Sequence, residues 1–143
     1  MGLYSPGSMA TVIKSVTFDG TAGAGATGTP VAFFTVTGEV LVVALVPFCT
    51  SNLGEAAPTA TLALGVTGST SLFIAATNSV DIDANEFWVD TAPDPNGIAL
   101  PAALKDIVIT DNIIATPAAQ NTNAGTLRIT CIYIPLSADG NVA

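Results

Sequence analysis

The chain has no histidine and only three basic residues, Lys14, Lys105 and Arg128. Without an imidazole the usual proton shuttle near neutral pH is missing, and a Ser–His nucleophile pair is excluded. Two cysteines and no histidine cannot complete a zinc ligand set. Eleven carboxylates against three cations leave a formal net charge of −8. Such a chain repels phosphate backbones and anionic lipid, so neither nucleic acid nor a membrane is expected as a partner. No apolar run reaches the ~18–20 residues of a membrane span; the longest, Val40 to Phe48, is broken by Pro47. The first nine residues, Met1 to Met9, lack the basic and apolar regions of a secretory signal, so no export is expected. Aromatic side chains are also scarce, at 6% with a single Trp, which disfavours an aromatic sugar-binding platform.

What is present is apolar and β-branched. Half of the 143 residues are hydrophobic and only 10% are charged, against a usual ~25% charged. That balance argues for a packed fold rather than disorder. The apolar residues come in runs of four to ten, rich in Val, Ile, Thr and Phe and bounded by Gly, Pro and Asn. This punctuation predicts an all-β sandwich or barrel with little helix.

Strands are expected over Thr11–Phe18, Pro30–Thr37, Glu39–Cys49, Thr59–Val66, Asp81–Val89 and Gly125–Leu136, with shorter ones at Lys105–Asp111 and Ile113–Thr116. A hairpin is expected around Thr67-Gly68, and a helical turn within Ile98–Leu104. Residues 1–10 read as a flexible arm and the Gly/Ala/Thr tract from Thr21 to Thr29 as a mobile loop. About eight antiparallel strands in residues 11–143 point to one jelly-roll-like sandwich. An immunoglobulin-like sandwich is the alternative, but its Cys…Trp…Cys spacing is absent.

Period-2 geometry gives the Gly125–Leu136 strand one face of Leu127, Ile129, Cys131 and Tyr133. The Glu39–Cys49 strand is apolar on both sides: Leu41, Val43 and Leu45 on one, Val40, Val42, Val46 and Phe48 on the other. A sandwich core covers one side, so the other calls for a loop, a helix or a neighbouring subunit. Val40, Val42, Val46 and Phe48, or the opposite face, are therefore the candidate oligomer interface, and Phe87 and Trp88 read either as its aromatic anchors or as ordinary packing at the edge of the core. Cys49 and Cys131 read as buried thiols or as a disulfide between strands.

The densest set of reactive side chains is Asp81, Asp83, Asn85 and Glu86, followed by Asp90 and Asp94. Alternating oxygens can collect Ca²⁺, yet Glu86 stands where an EF-hand loop needs Gly and Ala92 where it needs a bidentate Glu. The other reading is a solvated edge that discourages strand pairing. Glycoside hydrolysis would need paired acids, one with a raised pKa; Asp81 and Asp83 share a strand face and could approach each other, but one Trp and two Tyr are few for the aromatic platforms such sites use. No cofactor and no enzymatic activity are expected.

Several segments together resemble a family of short virion-associated proteins of tailed bacteriophages. They are Leu64-Gly65-Val66-Thr67-Gly68, Phe73-Ile74-Ala75-Ala76-Thr77, Asp81 to Trp88, Thr91-Ala92-Pro93-Asp94 and, most specifically, Pro135 to Val142. The resemblance implies a capsid decoration (cement) protein on the exterior of a phage head. By analogy its partners would be itself, as a homotrimer, and the major capsid protein. Leu3 and Tyr4 in the arm are the candidate capsid contacts. A tail or fibre component is the alternative, and a carbohydrate- or Ca²⁺-binding β-module a third reading.

Overall fold

In the computed structural model, which describes residues 8–55 and 57–143, the β-branched runs become strands. They are β1 (Ala10–Thr17), β2 (Val31–Phe34), β3 (Val36–Thr37), β4 (Val40–Glu55), β5 (Thr61–Val66), β6 (Ser69–Asn78), β7 (Glu86–Phe87), β8 (Asp94–Pro95), β9 (Ile107–Ile109), β10 (Ile113–Ala118), β11 (Thr122–Pro135) and β12 (Asn141–Val142). Two 3₁₀ turns, Ser79–Asp81 and Ala102–Leu104, interrupt them.

Eight of these strands carry the architecture. One sheet runs β1-β11-β4, with β9 and the short β7-β8 pair beside β4; the other runs β2-β10-β5-β6. Taken in chain order, the first main strand pairs with the last (β1 with β11) and the second with the seventh (β2 with β10). The third pairs with the sixth (β4 with β9) and the fourth with the fifth (β5 with β6). This nested antiparallel pairing, divided between two facing sheets, is the jelly roll expected from the sequence. Alternate side chains of both sheets meet in one core, with Val42, Leu45, Leu127 and Ile129 from the first and Phe33, Leu62, Ile74 and Ile113 from the second.

β11 follows its pattern to the residue. Leu127, Ile129, Cys131 and Tyr133 are buried and Arg128 is exposed. β4 does not. Ile132 pairs with Ala44 and Tyr133 with Val42, so Val43 is an extra residue without an opposite number. This β-bulge reverses the phase of the strand. Val40 and Val42 point inward before it, and Leu45 and Cys49 point inward after it. The expected faces are thereby corrected: Val40 and Val42 belong with Leu45 in the core, opposite Val46 and Phe48.

Three other expectations change. The Thr21–Thr29 tract is not loose: Ala24 and Ala26 donate to the Thr21 carbonyl, and Thr122 donates to the Gly25 carbonyl at 2.9 Å. Asp81–Val89 is not one strand, because the 3₁₀ turn at Ser79–Asp81 and the left-handed Asn85 (φ 70°) leave only Glu86–Phe87 extended. In the alternating run Thr59–Val66, where period 2 sends Leu62, Leu64 and Val66 inward and Thr61 and Ala63 outward, Ala63 is buried as well. The hairpin between β5 and β6 and the turn at Ala102–Leu104 stand where they were expected.

β1 is an edge strand, and it shows how that edge is protected. Val12 and Val16 lean on the core, while Lys14 between them shares their side of the strand and is exposed. A charge on the inward side of an edge strand blocks pairing with another sheet. At the other end of β11, Gly125 adopts φ 96°, and a Cβ there would run into the backbone oxygen of Asn52. Only glycine lets β11 approach β4 at that point.

Candidate interaction surfaces

Directly opposed residues on neighbouring strands share a face, so the register defines the outer side of the β1-β11-β4 sheet. One row across it reads Ser15, Arg128, Phe48, Phe87 and Asp94. The Arg128 guanidinium lies 5.1 Å from the centre of the Phe48 ring. Phe48 in turn meets Phe87 edge to face, at 5.0 Å between centroids. A cation over one ring and a T-shaped pair beyond it are both attractive contacts, and they hold the two aromatics partly in solvent. The next row reads Ile13, Thr130 and Val46.

Of the candidate interface residues, Val46, Phe48 and Phe87 are half-buried on this outer face. Val40, Val42 and Trp88 are not on a surface at all. They are fully buried within the protomer, and they drop out of the candidate interface for that reason. The Trp88 indole N–H donates to Thr77 Oγ1 at 3.0 Å in the interior. Among the described residues six large apolar side chains are exposed, and two of them, Ile13 at 59% and Val108 at 60%, lie on strands of this sheet. Ile13 had a visible signal, since it replaces a polar residue in the outward series Thr11, Ile13, Ser15. Val108 had none, because it sits between Ile107 and Ile109 in an unbroken apolar triplet. Leu3 and Tyr4, the candidate capsid contacts, lie outside the described residues.

The acidic candidates do not converge. Glu86 Oε2 accepts from the Asp83 amide at 3.2 Å, a local turn bond. The neighbouring Ala84 amide donates to Asn52 Oδ1 at 2.7 Å and the Asn85 amide to the Cys49 carbonyl at 2.8 Å. These bonds splice the segment onto β4 and spread Asp81, Asp83, Asn85 and Glu86 along it. Among the described residues no three His, Cys, Asp or Glu side chains are grouped to hold a metal ion.

Both thiols are free and buried, Cys49 opposite Leu127 and Cys131 opposite Leu45. Burial pushes Cys49 up to about 11 and Cys131 up to about 12, from an ordinary 9.0. The native state therefore keeps both protons after the unfolded chain has lost them. Stability contributed by the neutral thiols is complete below pH ~9 and is lost as pH rises through the window to about 11 and about 12. Native protein is expected not to react with a disulfide reagent at pH 8. Denaturation midpoints are expected to fall above pH 9, and less steeply in Cys131→Ala. An equal slope in that variant would contradict the assignment.

The fold and this surface define a small jelly-roll sandwich whose β1-β11-β4 sheet carries Ile13, Val46 and Phe48 on its outer face. No family model matches the chain, and no curated protein matches it. Among solved structures it is similar to a chain of the "Cyanophage Pam1 capsid asymmetric unit", with 20% sequence identity and a TM-score of 0.51. The alignment covers 94% of this chain and 89% of that one. At this identity the likeness is one of fold.

Proposed function

We propose that the chain is a structural protein of a bacteriophage virion, not an enzyme, and that it decorates the outside of the head as a homotrimer in contact with the major capsid protein. The observation that supports the reading is the likeness of fold, over 94% of the chain, to a chain of a phage capsid asymmetric unit. Two features of the sequence support it. The residue set is poor in groups for proton transfer, and the motifs ending in Pro135–Val142 resemble virion proteins. A clip that binds only the assembled lattice stabilises it by RT ln(1 + [L]/Kd) per site, about 2.7 kcal/mol at a hundredfold excess over Kd. No catalytic group is needed for that effect.

Leu3 and Tyr4 are the proposed head contacts. Purified protein is expected to co-sediment with undecorated phage heads and to appear in electron-microscopy maps as density on the outer shell. Deleting residues 1–9 is expected to abolish that binding while leaving the circular dichroism spectrum unchanged. Unchanged occupancy after the deletion would reject the arm's role. Density on the tail alone would reject the head decoration reading in favour of a tail or fibre component.

A further inference from the structure

The outer face of the β1-β11-β4 sheet differs in charge from the rest of the chain. β1 and β11 contain no carboxylate, and β4 holds only Glu55, at its far end. Ile13 and Val46 make this face apolar, and Arg128 is its exposed cation. The row through Arg128 is polarised. It runs from that cation across Phe48 and Phe87 to Asp94 on β8. With neighbouring strands ~4.8 Å apart, the backbones of Arg128 and Asp94 stand roughly 14 Å from one another, with Phe48 and Phe87 between them.

We propose that this face is where a second copy of the chain docks, with Arg128 of one copy against the Asp94 end of its neighbour and Phe48 and Phe87 covered between them. Charge complementarity selects the occupant. A chain with three cations and eleven carboxylates repels its own copies over most of its surface. This row is an exception, because each copy supplies both the positive and the negative end. Head-to-tail matching of the two ends fixes register, and the apolar residues supply the burial. The inference deepens the trimer of the proposed function and rests on that reading only for the number of copies.

The test is sedimentation velocity with light scattering on the full chain and on four variants: Val46→Glu, Arg128→Asp, Asp94→Arg, and the double reversal of Arg128 and Asp94. The wild-type chain is expected to assemble. Val46→Glu places a charge in the apolar patch and is expected to yield monomer, with Trp88 emission reporting an intact core. Each single reversal sets like charges against each other and is expected to weaken assembly about tenfold. The double reversal is expected to recover most of the loss. A wild-type chain that stays monomeric overturns the proposal, as does assembly indifferent to Val46→Glu. A double variant no better than the singles overturns the Arg128–Asp94 match. If Val46→Glu remains assembled and binds heads, this face is wrong and head decoration stands. If the wild type assembles through this face but ignores heads, the reverse holds.

Discussion

Trp88→Ala is expected to lower unfolding free energy by about 3–5 kcal/mol. Domains of this size have ~5–15 kcal/mol in total, so the loss takes a third or more of a typical value. The side chain is fully buried although its neighbours Glu86, Asp90 and Asp94 are acidic. Its position explains the size of the effect. The Trp88 amide donates to the Pro47 carbonyl in β4 at 3.1 Å, and its indole N–H reaches Thr77 at the end of β6. One residue thus ties β4, inside the first sheet, to β6 at the edge of the second.

The hydrogen bond and the ring can be separated. The Thr77 hydroxyl donates to the Ala75 carbonyl at 3.0 Å, so its oxygen lone pairs are free to accept from Trp88. Thr77→Val keeps the shape and strands the indole N–H, a cost of about 1–3 kcal/mol. Trp88→Phe keeps an aromatic ring and is expected to cost less than the alanine variant. Because Trp88 is the single Trp, its emission follows unfolding directly. Native emission at solvent-exposed wavelengths, or a loss below about 1 kcal/mol for the alanine variant, would contradict its place in the core.

The same residue shows where sequence reasoning reaches its end. Acidic neighbours in the sequence leave Trp88 open between an interface anchor and a core residue, because its environment comes from Pro47 and Thr77, forty-one and eleven positions away. The β11 pattern was legible because one side is apolar and the other mixed, so its phase is written in the residues. The β4 pattern was not legible. Val42, Val43 and Ala44 are all apolar, and the bulge at Val43 leaves no mark in such a run. The nested eight-strand topology was legible only as a number of runs and a chain length. Phe48 and Phe87 stood out as aromatic anchors, but their link to Arg128 and Asp94 exists only through register between four strands.

Removing Asn141–Ala143 is expected to cost about 3–5 kcal/mol, comparable with losing Trp88. These last residues form β12, which pairs with β3 through Asn141–Thr37 and Val142–Val36. Beyond that register, Thr35 and Ala143 exchange both of their backbone bonds, at 2.8 and 2.9 Å. Val142 is buried in the core beside Val36, and the Tyr133 hydroxyl donates to Asn141 Oδ1 at 3.1 Å. The turn that brings the chain here is equally fixed. Ser137 Oγ accepts from the Glu39 amide and donates to Asp139 Oδ1, and Gly38 takes φ 64° to allow the approach. Because β3 lies in the corner between β2 and β4, its partner strand latches the point where the chain crosses between sheets. Val142→Ala is expected to account for about 1.5–3 kcal/mol of the loss through burial alone. Tyr133→Phe, which removes one partly buried hydrogen bond, is expected to cost about 0.5–1.5 kcal/mol. Thermal or denaturant unfolding at fixed protein concentration measures all three. A truncated chain with an unchanged midpoint would mean that the corner holds without its latch, and that the Pro135–Val142 motif serves contacts outside the fold.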